Sequence, residues 1–517
     1  MKKIHYAFLS VFLISCLIFF LKHDNIIENK NLIKYNPKNP TLILTGSNLS
    51  QFLIKINNEN SNIFQEINKN DKINSIINHL HQIDSLIQES SDFTVSIYQN
   101  AKKANMFMAI DLKEVYKVKE NIKKKYREIK FENFEEYYIN NINEKLFFTI
   151  IDKTLLISSS KILIETSINQ YKKNITILED IELKKIYKKP DESNENIILI
   201  NHDEIYNFKK DILKYKTKII KPIVKWSVLD LKLETNNITL YGLSSIENNN
   251  KNYINIIKNN SAENILIDEF LPHDIISYNA ICFESFDDLL KKYKKFLINN
   301  DVMFSYNKII NHETESFFNN TIQNQICKVI LQSNQKEDNI FYIGRNKGLK
   351  NKFTENENLT SYIIEELKGG NIIQMILENN IYNNDFKNYI IINNYIVFGK
   401  NKSSLQYFMN VYLDDEKLIN QEEYFKYKTS SIGKSNLFNY INPTKTAEYL
   451  RYNINNEYIK QSENFEKLIG INCSYNYNNE IIFSTISLQN QPNYNKLSKV
   501  NWKIKNDTAI QKIFSFK

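Results

Sequence analysis

The chain has 517 residues, 42% of them apolar and 13% aromatic, and a formal charge of +8. That length exceeds what one hydrophobic core ordinarily serves, and the apolar content is enough for two. The basic excess is spread along the whole chain, with runs such as Lys123 to Lys125 soon interrupted, which excludes the concentrated footprint of a nucleic-acid binder.

Gly and Pro are scarce, at 9 and 7, while Asn, Ile and Lys, the residues of AT-rich codons, abound. The Asn excess reads as mutational bias, and Asn is expected to take the left-handed turn positions that Gly usually fills. Four cysteines occur. Cys16 lies in an apolar segment, and Cys282, Cys327 and Cys473 lie in strand-like stretches without C-x-x-C spacing. Those three are expected to be buried thiols and neither a disulfide set nor a zinc site.

Lys2 and Lys3 precede an uncharged stretch from Ile4 to Leu21, and Lys22, His23 and Asp24 end it. As a helix it would reach about 27 Å, close to the hydrocarbon thickness of a bilayer. Residues 1–21 are therefore expected to be a retained single-pass signal anchor, with the N-terminus in the cytoplasm and the bulk of the chain in the periplasm. Two alternatives stay open: cleavage as a signal peptide, and lipidation at Cys16, because Leu13-Ile14-Ser15-Cys16 fits a lipobox. The apolar run past Cys16 speaks against the lipobox. Residues 22–38 are polar and Asn-rich and read as a tether.

Slid against itself by roughly 240 residues, the remainder shows a repeated pattern. TLILTGSNLSQFL recurs as YNAICFESFDDLL, and VSIYQNAKKANMFMAI from Val95 recurs as VILQSNQKEDNIFYIG from Val329. FTIIDKTLLISSSKIL from Phe148 recurs as YIIINNYIVFGKNKSSL from Tyr389, setting Tyr171 over Tyr412. ILINHDEIYNF from Ile198 recurs as LFNYINPTKTAEYL, and ETNNITLYGLSSI as YNNEIIFSTISL. Each copy reads as a strand, helices, a hairpin, a helix, a second hairpin, a helix, a strand, a further helix and a closing hairpin. Ile73, Ile76, Ile77, Leu80, Ile83, Leu86 and Ile87 have helical spacing and would face a sheet. The expected fold is α+β, with two similar tandem domains of largely antiparallel sheets after one transmembrane helix. The first repeat is set at 39–247, a connecting segment at 248–273, the second repeat at 274–488 and a C-terminal tail at 489–517.

Motifs for chemistry are sparse. Gly344 and Gly348 lack P-loop spacing, and Gly369-Gly370 after Glu365-Glu366-Leu367-Lys368 reads as a helix C-terminus with a left-handed cap. His312-Glu313 lacks the second histidine of a zincin, and His79 and His81, two apart on a helix, point apart. Ser158 to Lys161 and Ser431 to Lys434 both satisfy S-x-x-K, where a lysine could activate a serine. In a chain so rich in both residues the pattern is cheap, and Ser160 is expected to cap a helix. His202-Asp203-Glu204 and Asp287-Asp288 fall at helix starts, where acidic side chains offset the dipole. Trp226 is expected in a core. No catalytic residue, metal ligand or cofactor is assigned.

Several stretches resemble an uncharacterised family of Bacteroidota cell-envelope proteins with a duplicated domain: FLIKINNENSNIFQEINKNDKI with HLHQIDSLI, LLISSSKILIE, WSVLDLKLETNNITLYG and FLPHDIISYN. The resemblance implies an envelope location and a duplicated architecture, and it carries no active-site residue. Members often continue into a repeat-rich β region, whose opening VNWKIKNDTAIQKIFSF from Val500 resembles, so 489–517 reads as the shortened start of a further domain. The expected function is that of a membrane-anchored envelope module, non-catalytic, which binds or scaffolds other envelope proteins. The alternatives are an envelope hydrolase and a lipoprotein that binds a small or polymeric ligand between the two repeats.

Overall fold

A computed structural model describes residues 32–52, 54, 92–99, 104–125, 130–134, 137–142, 146–187, 196–212, 223–234, 237–247, 249–332, 339–349, 353–356, 359–379, 386–413, 417–422, 424–425, 428, 433–446, 468–478 and 481–490. The chain is α+β with antiparallel strand pairing, and contacts divide it into two units, residues 1–54 with 76–204 and residues 55–75 with 205–517. The apolar stretch 4–21, Cys16, the helical pattern Ile73 to Ile87 with His79 and His81, and the tail from 491 lie outside the described residues. No helix among the described residues is long and apolar enough to cross a membrane.

In the first unit the chain runs β1 (Leu42–Gly46), β2 (Phe93–Gln99), β3 (Ala104–Asp111), α1 (Val115–Lys125), β4 (Lys130–Phe134), β5 (Tyr137–Ile142), β6 (Leu146–Ile151) and β7 (Thr154–Ser158). Then come α2 (Lys161–Lys172), α3 (Ile181–Ile186), β8 (Asn196–Asn201) and α4 (His202–Ile212), the last of which continues into the second unit. The strands lie in the order β8-β1-β2-β3-β7-β6-β5-β4, each pair antiparallel. The β4–β5 hairpin adds to the two expected in this stretch. Ile164 and Ile168, one turn apart on α2, pack on Phe107, Ala109 and Leu156 of the sheet.

The second unit contains β9 (Trp226–Glu234), β10 (Asn237–Ser245), β11 (Ile275–Cys282), α5 (Phe286–Asn299), α6 (Met303–Ile309), α7 (His312–Thr321), β12 (Ile322–Leu331) and β13 (Asn339–Asn346). It continues with β14 (Phe353–Asn356), β15 (Leu359–Tyr362), β16 (Glu365–Glu366), α8 (Ile372–Glu378), β17 (Asn388–Ile392), β18 (Tyr395–Gly399), α9 (Lys402–Leu413), β19 (Leu437–Ile441), β20 (Leu468–Asn478) and β21 (Ile481–Asn490). Its strand order is β9-β10-β21-β20-β19-β11-β12-β13-β18-β17-β16, and among the described residues β14 and β15 pair only with each other.

Strand periodicity sorts this sheet into two cores. Ile281, Ile326, Tyr342, Ile391 and Phe398 point to the face covered by α5, α7 and α8, while Ala280, Cys327, Phe341, Ile390 and Val397 point to the face under α9. Burial on both faces explains the uninterrupted apolar runs of β17 and β18, which sequence shows as Ile390-Ile391-Ile392 and Ile396-Val397-Phe398. The stretch 248–273 belongs to these cores. Its Ile254 and Ile256 pack under α5, and Ile265, Ile267, Phe270 and Leu271 fill the opposite face.

All eight non-glycine residues with positive φ among the described residues are Asn or Asp, six of them Asn, as the scarcity of Gly requires. Two of these, Asp152 and Asn393, turn the hairpins β6–β7 and β17–β18, and both are held by the tyrosine of the following helix. Tyr171 donates to Asp152 Oδ2 at 2.5 Å, and Asn393 Nδ2 donates to Tyr412 Oη at 3.0 Å. Gly369 is left-handed as expected, with φ 79°, but what precedes it is β16 and not a helix, so the expected helix C-terminus is corrected. There it turns the chain from the sheet edge into α8.

Candidate functional site

Two features of the second unit stand out. The first is a buried polar chain beneath a strap of backbone. The 3-10 turn Ile267–Glu269 precedes β11 and brings Asp268 into the core under α9, where the residue has no exposed surface. Gln325, equally buried on β12, fixes that turn. Its Oε1 accepts from the backbone N–H groups of Leu266 (3.1 Å) and Ile267 (3.2 Å), and its Nε2 donates to Asn264 O at 2.6 Å. Tyr395 adds a hydrogen bond to Leu266 O at 3.1 Å.

The partners of Asp268 come from the stretch that follows α9. Tyr424 donates to Asp268 Oδ2 at 2.8 Å, and Lys428 Nζ lies 3.0 Å from both carboxylate oxygens. On the far side Tyr424 shares a 2.6 Å hydrogen bond with Tyr278 of β11. Four side chains therefore run in line from a closed core position to Lys428, whose side chain is 20% exposed. Burial raises the Asp268 carboxyl above its usual range, and Lys428 and Tyr424 only partly offset that. Burial likewise raises both tyrosine hydroxyls and the thiol of Cys327, and pushes the Cys282 thiol up to about 12. Cys282 and Cys327 are thiols buried in a core, as expected, whereas Cys473, expected to be buried too, is only half-buried; it forms no disulfide.

The second feature is a sheet face. In β9-β10-β21-β20 the cross-strand partners Val228, Leu243, Phe483 and Asn476 share one side, as do Asp230, Tyr241, Thr485 and Ser474 in the next row. Tyr241, Ile481 and Phe483 stand 45%, 42% and 49% exposed there. On the opposite side the strands are closed by Leu229, Leu240 and Ile482 and by a serine ladder, Ser227 to Ser244 at 2.5 Å and Ser244 to Ser484 at 2.6 Å. Two aromatic side chains and one isoleucine are thus exposed on one face of these strands, opposite a filled core.

The sequence motifs land elsewhere. Ser158 is fully buried at the end of β7, where its hydroxyl donates to Met106 O at 2.6 Å and accepts from Ser160 N at 3.0 Å, while Lys161 pairs with Glu165. Ser160 holds the N-cap position of α2 but makes no side-chain cap hydrogen bond. Ser431 lies outside the described residues. Ser285 caps α5 through Asp288 N, and Asp287 and Asp288 pair with Lys291 and Lys292 one turn on. His312 opens α7 behind the Asn311 cap, and His202 opens α4. Trp226 is buried at the start of β9, its indole N–H without an acceptor among the described residues. No group of three metal-ligating side chains occurs among the described residues.

The residues of the polar chain escaped the sequence reading because Asp268 and Lys428 are 160 positions apart. Leu266-Ile267-Asp268-Glu269-Phe270 carries no sign that one of its two acids turns inward.

No family model and no curated protein matches the chain. Among solved structures it is similar to TP0453 in its crystal forms III, IV and I, at 9%, 10% and 9% identity. The similarity spans 42%, 41% and 42% of this chain and 80%, 81% and 79% of that one, with a TM-score of 0.26 in each case. So slight an overlap assigns neither fold nor function.

Proposed function

We propose that the chain is a membrane-anchored cell-envelope protein, held by residues 4–21 with its bulk in the periplasm, that binds or organises other envelope proteins without catalysing a reaction. The observation that carries this reading is the open face of β9-β10-β21-β20, with Tyr241, Ile481 and Phe483 nearly half exposed above a filled core. Large aromatics exposed together on one sheet face are the kind of anchors that binding surfaces use. The Ser158 hydroxyl, spent on a backbone carbonyl in a closed site, gives no support to a hydrolase.

A tandem duplication, and with it the kinship to the Bacteroidota envelope family, belongs to the same proposal. Its support is the strand order β8-β1-β2-β3-β7-β6 in one unit beside β19-β11-β12-β13-β18-β17 in the other. The hairpin-turn contacts Tyr171–Asp152 and Tyr412–Asn393 add to it, because tyrosine and turn residue are both displaced by the same number of positions.

Crosslinked affinity purification of the full chain from membranes tests the function. A defined envelope partner recovered with the intact protein, and lost with Tyr241→Ser/Phe483→Ser or with removal of residues 1–21, is the expected result. Recovery of the same proteins with the double variant would overturn the assignment of this face.

A further inference from the structure

The sheet of the second unit ends differently at its two edges. One edge closes on β16, only two residues long, whereas the other is β9, nine residues without Gly or Pro. Among the described residues β9 pairs with β10 alone. A long open edge is a template for another strand, and proteins usually blunt it with a short strand, a proline, a bulge or a lysine. Trp226 turns its main chain toward β10, since its N–H donates to Ser245 Oγ at 3.3 Å and its carbonyl accepts from the same hydroxyl at 3.5 Å. The main-chain groups of an antiparallel strand alternate in side, so those of Leu229, Leu231 and Leu233 point outward.

We propose that β9 pairs with β9 of a second copy of this chain, antiparallel about a two-fold axis at Leu231, so that two second units share one sheet. In that register Leu231 faces its own counterpart and Leu229 faces Leu233 of the second copy, each facing pair exchanging both of its hydrogen bonds. All three leucines stand on the filled side of the sheet, Leu229 and Leu233 buried and Leu231 half-buried, so the apolar side continues across the axis. On the other side Asp230 faces Lys232 of the second copy, and the symmetry repeats the pair. Cross-strand neighbours of opposite charge attract, so the lysine that would repel most strands selects this one. Lys232 also holds Glu234 of its own strand at 2.7 Å, their side chains 61% and 47% exposed, which leaves acid, base and acid in sequence along the edge.

An axis elsewhere on the strand loses this match. Centred on Leu229 it would set Asp230 against Val228 and Lys232 against Trp226, and centred on Leu233 it would set Asp230 against a residue past the end of β9. An acid and a base placed evenly about an outward-facing residue make the strand complementary to itself, which assigns the edge to a second copy of this chain. Asp230 stands beside Tyr241 of β10, so the pairing also brings the exposed aromatics of two copies onto the same side of one sheet. The inference holds whatever that face binds.

Sedimentation of the full chain in detergent over a range of concentrations, with bound detergent subtracted from the mass, tests the pairing. A monomer–dimer equilibrium is expected. Leu231→Pro removes an outward N–H and leaves the β9–β10 bonds in place, and should give the mass of a single chain at every concentration. Asp230→Lys and Lys232→Asp each set like charges opposite one another at both crossings and should weaken the dimer by about tenfold. An equimolar mixture of those two variants should regain the wild-type affinity as a mixed dimer, in which every ammonium at the crossings meets a carboxylate, and that recovery also shows that both variants fold. A wild-type chain of single mass throughout, a Leu231→Pro chain that still dimerises, or a mixture no tighter than its components would each overturn the proposal.

Discussion

The two units solve one local problem in two ways. In each, a 3-10 turn precedes a strand, Leu32–Tyr35 before β1 and Ile267–Glu269 before β11, and an aromatic at its end packs on the tyrosine of a later helix, Tyr35 on Tyr171 with ring centres 5.4 Å apart and Phe270 on Tyr412 at 4.9 Å. Beneath the first turn sits Asn36, fully buried and neutral, donating to Leu32 O, Ile33 O and Thr94 Oγ1 and accepting from Ser96 Oγ. Within the second turn stands Asp268, equally buried and ionisable, tied to Tyr424 and Lys428. A neutral amide makes a rigid peg. A carboxyl in the same kind of place makes the surrounding structure answer to pH, so the difference lies in responsiveness more than in shape.

The largest effect that sharpens this contrast is Asn36→Leu. It removes the partner of two buried hydroxyls and two backbone carbonyls, and is expected to lower the stability of the first unit by about 3 kcal/mol at every pH. Exchange protection of β2 and β3 is the readout, and a pH-dependent loss would break the comparison.

Next is Lys428→Met, whose cost should track the charge of Asp268. A carboxyl whose folded affinity for protons is raised contributes stability below its unfolded value of 3.8, and that contribution is lost as pH rises through the folded value. Without Lys428 the loss is deeper. Denaturant unfolding is expected to show about 2 kcal/mol of destabilisation at pH 8 and close to none at pH 4. An equal cost at both would mean that Lys428 contributes packing and not charge.

The smallest effect joins the units instead of separating them. Tyr171→Phe and Tyr412→Phe each remove one hydrogen bond to a hairpin turn and should each cost about 1 kcal/mol, read as exchange at β6–β7 and β17–β18 respectively. A large inequality between them would undo the equivalence of the two turns.

What the sequence disclosed and what it hid follow from reach. Hairpins such as β6–β7 were legible because two short apolar runs joined by a polar Asp or Asn turn are a local signal, and left-handed Asn was legible from the shortage of Gly. The β4–β5 hairpin was missed because Lys130 to Ile142 carries neither Gly nor Pro to punctuate it. Gly369 announced its backbone conformation but not the strand before it, since a left-handed glycine can end either element. Asp268 was hidden altogether. Its partners Tyr424 and Lys428, and Tyr278 beyond Tyr424, come from the stretch after α9 and from β11, and no spacing along the chain encodes that.

The separation of 160 residues between Asp268 and Lys428 also has a consequence in time. At about 5 to 20 residues per second, the carboxyl emerges from the ribosome roughly 10 to 30 seconds before the lysine that will neighbour it. Throughout that interval it lacks the two side chains that meet it in the folded chain. The surroundings that raise its affinity for protons are complete only when Tyr424 and Lys428 have followed, so this carboxyl is among the last parts of the second unit to reach its final setting.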